Sequence, residues 1–433
     1  RITMMRGMGT LAWLAALGAS AWAQDLTLDE ALKLAKERNG TIRAAMQDVQ
    51  AAKGRTAQSF SAFLPTVTPS ASYRSNRQEV NAGSGTRFLQ TEGWSTQIEA
   101  RWRVLDFGER DFNYRSSRRS EESVQAQALN TLRRTLFTVH QNYLDTLRAQ
   151  ELRRVATVQE ERTKLILEQT KARVEAKAAA PITILQAEAD AANARVNVID
   201  AENNVVVSEA LLKAIIGWDE AESFPLLQAF PAPQSYADAA SVSGMIDDGL
   251  ERRPDLVAQR RNVESLRLQE RLRNREAIGA VSLEAGFTQS LSPDSLENRT
   301  AGLFLSVPLY DGGLSRAAHK VARANLAAAR EDLAQAERDA GQEIRATLRN
   351  YQLNVQRLEA AKVALDAAKK NYEAAVESQK AGVYDIIQVS TAQVSLVTAE
   401  SNYINAVYDY YLIEVQLRLV TGQPVPGEIE TKP

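Results

Sequence analysis

The 433-residue sequence contains no cysteine and only two histidines, His140 and His319. Disulfide scaffolds, thiol nucleophiles, thiolate zinc sites and multi-histidine metal centres are excluded on that ground. Aromatic residues are scarce, at 6%, and charge of neither sign prevails: 52 Lys and Arg stand against 54 Asp and Glu, a formal net charge of −2. A chain with no basic excess lacks the electrostatic footprint of a nucleic-acid binder, and no nucleic acid is expected as a partner. No segment after the N-terminus approaches the roughly 18 uninterrupted apolar residues of a membrane-spanning helix. Carboxylates are spread along the chain with no focused motif, so neither an enzyme nor a cofactor site is expected. His140 and His319 fall on predicted helices without a repeating carboxylate partner and read as packing or surface residues.

What is present begins with an export signal. Arg1 and Arg6 precede an apolar run from Leu11 to Ala19, which ends in Ala21-Trp22-Ala23. A basic head, a short apolar core and an Ala-x-Ala end are the marks of a secretory signal peptide, expected at 1–23. Position 1 is Arg, so Met4 or Met5 is expected as the translational start. With no cysteine after the cleavage point, a lipid anchor is not expected.

The rest of the chain states one plan twice. Leu105-Asp106-Phe107-Gly108 and Tyr310-Asp311-Gly312-Gly313 stand 205 residues apart, as do Gly217 and Gly422. Glu37-Arg38 and Glu251-Arg252 stand 214 apart, so nine residues are inserted between the first and second strand of the first half, where a surface loop is expected to absorb them. The spacing predicts a first repeat over 24–217, a linker over 218–242, a second repeat over 243–422 and a tail over 423–433. Each repeat opens with a short helix and a second helix, near 28–38 and 41–63 in the first half, with 255–277 as the later counterpart. Thr27 and Glu30 have the spacing of a capping box, and Pro254 suits a first helical turn.

Strands are predicted at about 66–80, 93–106, 280–291 and 300–310. Trp94, Thr96, Ile98, Ala100, Trp102 and Val104 alternate strictly with Ser95, Gln97, Glu99, Arg101 and Arg103. Such alternation suits a tilted transmembrane strand with one lipid face and one wet face. Trp94, Trp102, Tyr73 and Phe287 would form an interfacial aromatic belt, and Arg74, Glu99, Arg101, Arg103 and Glu284 would line a lumen. Four strands cannot close a membrane barrel, so several copies of the chain are required. After each pair of strands lies a stretch of about 70 residues, from Glu109 and from Leu314, almost free of Gly and Pro. Helices of that length reach about 100 Å. Ile344, Leu348, Tyr351, Val355, Leu358, Leu365 and Tyr372 carry a coiled-coil seam. Each long helix turns, at Lys177 to Pro181 or at Ala381 to Asp385, into a return leg about half as long. The class is mainly α with transmembrane β.

This duplicated plan, with Ala62-Phe63-Leu64-Pro65, Val307-Pro308-Leu309-Tyr310-Asp311-Gly312-Gly313, and the hairpin turns leading into Pro181-Ile182-Thr183-Ile184-Leu185-Gln186 and running through Ala381-Gly382-Val383-Tyr384-Asp385, resembles the TolC family of outer-membrane efflux proteins. The resemblance covers essentially the whole mature chain. It implies a homotrimer in the outer membrane of a Gram-negative bacterium, with four strands per chain in a 12-stranded β-barrel among outer-membrane lipid. Tandem long helical hairpins would form an α-barrel tunnel through the periplasm. Such ducts are passive; they work with a periplasmic adaptor (membrane fusion) protein and an inner-membrane RND, ABC or MFS transporter, in multidrug efflux or type I secretion. Adaptor contact would fall on the exposed turns, Lys177, Ala178, Ala179, Gly382, Val383 and Tyr384. Where the family places acidic residues near the tips this chain has Thr183 and Gln388, and Lys177 replaces the first-tip glycine. Asp385 is the one carboxylate of the second turn: either three copies constrict the entrance, with Thr183 and Gln388 nearby, or Asp385 simply caps the return helix. The alternative to a duct is an exported periplasmic coiled-coil scaffold or adaptor whose two hairpins are soluble.

Overall fold

The computed structural model describes residues 26–82, 85–218, 227, 242–276, 278–291, 295–381, 383 and 385–428. The signal peptide expected at 1–23, most of the expected linker, residues 429–433, and the turn residues Gly382 and Tyr384 lie outside the described residues.

The chain runs α1 (Leu28–Arg38), α2 (Gly40–Ser61), β1 (Thr66–Ala82), β2 (Gly85–Leu105), α3 (Glu109–Glu175) and α4 (Ile182–Ile216). It then repeats as α5 (Val242–Arg252), α6 (Pro254–Glu276), β3 (Ala280–Leu291), β4 (Ser295–Ser306), α7 (Leu314–Lys380) and α8 (Ile386–Val420). The capping box at α1 is formed: the Thr27 hydroxyl accepts from the Glu30 amide, and Glu30 accepts from the Thr27 amide. Helices α3 and α7 have 67 residues each, and α4 and α8 have 35 each. At 1.5 Å per residue the long pair spans about 100 Å. The return legs cover only the lower half of each long helix. The upper half is covered by α2, which packs on α3, and by α6, which packs between α3 and α7. Two shorter helices laid end to end therefore match one long one, and each repeat presents two full-length helical strands.

The expected seam of α7 faces α8. Ile344, Leu348, Tyr351, Leu358 and Leu365 are buried, the last three against Ala406, Tyr410, Ile413, Leu396 and Ala399. A larger core sits midway along α3, where Leu136, Val139, Tyr143, Leu144 and Leu147 meet Leu32 of α1, Leu212 and Ile216 of α4, Leu227 and Val425. Each fully buried side chain of this size contributes about 1.5–3 kcal/mol, so this girdle is where the protomer is most firmly held. The Tyr143 hydroxyl donates to the Leu26 carbonyl at 2.7 Å, tying the first described residue to it.

The duplication is also visible contact by contact. Gly217 and Gly422 both take left-handed φ, +66° and +69°, beyond α4 and α8. A Cβ on Gly217 would lie 2.8 Å from Arg38 Cβ, and one on Gly422 would lie 2.8 Å from the backbone at Arg252 and Arg253. Beside these glycines, Asn39 donates to the Ile215 carbonyl and Arg253 to the Val420 carbonyl, equivalent bonds at equivalent places.

The four strands form one antiparallel sheet in the order β1-β2-β3-β4. Strand β3 has the expected bounds, and the first hairpin differs from expectation: β1 and β2 have 17 and 21 residues, against 12 each in β3 and β4. The nine residues inserted in the first half are therefore not taken up by a loop. They lengthen the first hairpin as paired strand, from Arg74↔Gly93 to Ala82↔Gly85. Strand β3 pairs with β2 only from Ser95 to Leu105, so this extension stands as a two-stranded ribbon beyond the sheet. Strand β4 begins at Ser295 and stops at Ser306, earlier at both ends than the expected 300–310.

Candidate functional site

Alternation gives the sheet two unlike faces. The register sets Thr66 opposite Arg101 and Arg101 opposite Glu284, with Thr68, Glu99 and Gly286 on the next rung. Arg74, Glu99, Arg101, Arg103 and Glu284, the expected lumen residues, thus share one face. Arg101 reaches two carboxylates, Glu99 at 3.0 Å and Glu284 at 2.9 Å, and Arg103 reaches Glu109 at 2.9 Å. The other face carries Val67, Ile98, Leu303 and Leu305, each at least 49% exposed. The expected belt residues Tyr73, Trp94, Trp102 and Phe287 are on it. Tyr73 and Trp94 are paired in register, with ring centroids 5.5 Å apart. The Trp102 indole N–H donates to the Phe63 carbonyl at 3.0 Å, at the end of the sheet where the helices begin. An apolar face of this extent left uncovered marks an interaction surface.

The sheet is joined to the long helices by two matching corners, whose chemistry the sequence motif carried without its reason being evident. Asp106 accepts from the Gly108 and Arg110 amides at 3.2 Å each; Asp311 accepts from the Gly313 and Ser315 amides at 2.9 and 2.8 Å. Gly108 and Gly313 take φ of +94° and +88° as the residues before each helix. The carboxylate thus satisfies helix-start N–H groups that would otherwise be orphaned. Hydrogen bonds from Ser315, and then from the Gly313 amide, hold the Asp311 carboxyl below the usual carboxylate range.

At the opposite end of the helices lie the two turns. Lys177 takes φ of +56°, and the amides of Lys177 and Ala178 donate to the carbonyls of Val174 and Arg173 at 2.9 and 2.8 Å. That is the helix-ending turn for which glycine is favoured, here built on lysine. The Val383 amide makes the equivalent bond to Ser378 at 2.9 Å. Lys177, Ala178 and Val383 are exposed and Ala179 is half-buried. Asp385 accepts from the Ile386 amide at 2.6 Å and is the N-cap of α8, so the capping role is realised. Gln388 is exposed one turn on, while the Thr183 hydroxyl is turned to the Ala180 carbonyl at 2.6 Å. Sequence reasoning missed the links that join the two hairpins, of which the one nearest the tips is Ser390 of α8 donating to Asp190 of α4 at 2.9 Å. Neither residue belongs to a motif, and only packing brings them together.

His140 is buried and its Nε2 meets the Pro426 carbonyl at 3.2 Å, a packing role that fastens the segment after α8 to α3. Burial pushes its pKa below the ordinary value, against the smaller effect of that hydrogen bond. Arg133 assists with a two-pronged pair to Glu428 at 2.9 and 3.1 Å. His319 meets Glu270 at 2.8 Å between α6 and α7. Among the described residues no helix is long and apolar enough to cross a membrane, and no group of three potential metal ligands is present.

Comparison with known proteins agrees with this geometry. The outer membrane protein TolC of Vibrio cholerae serotype O1 is 26% identical over 421 residues, covering 94% of this chain and 93% of its own. Among solved structures, the outer membrane channel CmeC of Campylobacter jejuni superposes with a TM-score of 0.80 at 17% identity, over 91% of this chain and 85% of that one. The outer-membrane channel OprN gives 0.80 at 19% identity, over 92% and 90%. The family model described as outer membrane efflux protein matches residues 31–218 and 245–423, one match in each repeat. The chain belongs to the outer membrane efflux protein family, and is an outer-membrane efflux channel rather than an enzyme.

Proposed function

We propose that three copies of this chain close into one continuous duct, a 12-stranded β-barrel in the outer membrane carried on an α-helical tunnel that extends into the periplasm. The observation that carries this reading is the sheet: among the described residues it has four strands with both outer edges unpaired, one face apolar and exposed, the other charged. Unpaired backbone groups are not tolerated in lipid, so each edge must meet the edge of another copy. Trp94 and Trp102 are eight residues apart on one strand, about 26 Å along it at 3.3 Å per residue. On a strand tilted by about 40° that is roughly 20 Å along the bilayer normal, within an apolar band of about 25 Å between two aromatic girdles. The charged face then lines the water-filled lumen, and polar solutes pass without chemistry.

The tips, Lys177, Ala178, Ala179 and Val383 together with Gly382 and Tyr384, are the contact points for a periplasmic adaptor that couples the duct to an inner-membrane transporter of the RND, ABC or MFS type. Opening spreads the hairpins and requires that the Ser390–Asp190 bond be exchanged for water. An adaptor that binds the spread form more tightly shifts the population towards it. The duct reading is tested by fractionation and reconstitution. The chain is expected in detergent-extracted outer membrane at three chain masses, giving ion conductance in planar bilayers; a monomer that leaves with the soluble periplasm overturns it.

Asp385 serves twice in this reading, as cap of α8 and as the charge of the entrance, with Thr183 and Gln388 beside it. Asp385→Asn keeps a capping side chain and removes the charge, whereas Asp385→Ala removes both. Both variants are expected to lower block by divalent cations in single-channel recordings, and only the alanine variant to loosen the turn towards protease. Block unchanged in both leaves Asp385 as a cap alone.

A further inference from the structure

Two described side chains of β4 break the polar pattern of the lumen face, Leu296 near the start of the strand and Phe304 near its end. On β4 the register opposes Phe304 to Ser282 and Gly302 to Glu284, so Phe304 shares the face of Glu99, Arg101 and Glu284 and not that of Leu303 and Leu305. Phe304 is 53% exposed. The ring is not loose: it leans back along its own strand over Gly302, where an added Cβ would lie 3.3 Å from it. Gly302 thus leaves room for one edge of the phenyl ring. The rung of Gly302 continues through Glu284, directly opposite, to Arg101. Cross-strand neighbours of this kind have Cβ atoms about 5 Å apart.

Taken with the next rung, which carries Glu99, the charge is not balanced. Arg101 is shared between Glu99 and Glu284, two carboxylates on one guanidinium, while Arg103, which stands on the rung of Phe304 itself beyond Ser282, is taken up by Glu109 at 2.9 Å. Arg74, the remaining guanidinium among the described side chains of this face, is eight residues along β1 from Thr66, about 26 Å away. An aromatic ring and a cluster with one carboxylate in excess therefore stand close together on a wall that is otherwise mostly polar. Resting on the duct reading above, the geometry points to a docking point for flat organic cations inside the barrel, at Phe304 with Glu284 and Glu99. The ring takes the aromatic body of the solute by stacking, and the unbalanced carboxylate takes its positive charge. Three such points, one per protomer, would form a way-station rather than a barrier, since each is shallow and open.

Ethidium is a suitable probe, titrated by fluorescence anisotropy against the trimer in lipid nanodiscs. Phe304→Leu, which keeps apolar bulk and removes the ring, is expected to raise the ethidium Kd about threefold or more, as the loss of a cation–aromatic contact implies. Glu284→Gln is expected to raise it similarly, and Phe287→Leu on the lipid-facing side to leave it unchanged. An ethidium Kd equal in the unaltered protein and in Phe304→Leu overturns the proposal. So does a Phe304→Leu trimer that melts earlier with Kd unchanged, which would assign the ring to packing at the seam between protomers. Conductance in planar bilayers separates the two readings: a conducting trimer with unchanged Kd defeats this inference alone, and absence of a conducting trimer defeats the duct reading along with it.

Discussion

Single residues decide the corners of this protein. The glycines after α4 and α8 do so by shape, because each combines a left-handed backbone with a neighbour close enough to exclude a Cβ. Gly422→Ala is expected to destabilise by about 2 kcal/mol or more, since a non-glycine left-handed residue costs about 1–2 kcal/mol before the clash with Arg252 and Arg253 is added. Gly313→Ala, with left-handed φ but open space around it, is expected to cost only the backbone part. Thermal melting of the two variants under one set of conditions distinguishes them, and equal losses would mean that the contact with Arg252 and Arg253 carries no weight. Both glycines were legible as repeat markers. Their reason was not, because the segments they press against are distant in sequence. Lys177 shows the reverse case: the same turn forms without glycine, so a missing glycine did not mean a missing turn.

At the scale of elements, the strands answer to alternation and the helices to length. Ile98 and Gln97 are adjacent in β2 but face opposite ways. Ile98→Lys is therefore expected to cost about 2–4 kcal/mol if near the bilayer midplane, and Gln97→Lys on the charged face little. The yield of trimer that resists dissociation in mild detergent reads this out, and equal yields would contradict a lipid-facing side. Period-two alternation was enough to find these strands and to assign Trp94, Trp102, Tyr73 and Phe287 to one face and Arg101 and Glu284 to the other. It did not give their ends. Residues 81–82 and 85–92 continue the pairing into polar sequence, where apolar alternation stops but backbone hydrogen bonding does not. The helices were legible because α3 lacks any helix breaker and α7 has only Gly341. How α2 and α6 complete the upper half of the wall was not, since that depends on which faces dock.

The whole protomer is held at its waist, where α1, the middle of α3, the end of α4 and the segment around Val425 converge. His140 is buried there, with its pKa depressed by desolvation. Because the folded form holds its proton less tightly than the unfolded chain, the stability tied to a neutral His140 is fully present above the ordinary value of 6.5. It is lost as pH falls below that value towards the folded pKa. The melting temperature is expected to fall between pH 7 and pH 5, and His140→Gln to flatten that part of the profile. An unchanged slope in the variant would move the acid sensitivity to other groups. Asp255 follows the same sign at lower pH. Burial alone would raise its pKa, but hydrogen bonds and charge from Arg253 outweigh burial and hold it below 3.8. Its contribution is lost only as pH falls through that lower value.

The sequence by itself determined the duplication, the class of every element and the two-faced character of the strands, because periodicity and the spacing of Gly and Asp are local properties written into consecutive residues. It also carried the resemblance to outer-membrane efflux proteins, since that rests on the order of such local features. Only the tertiary structure decided where the strands end, that the inserted nine residues build a ribbon rather than a loop, and which distant groups meet. Ser390 with Asp190, Arg133 with Glu428, and Phe304 against Gly302 near Glu284 are each set by helix docking or strand register. Contacts of that kind depend on faces brought together across long stretches of chain, and no period within the sequence records them.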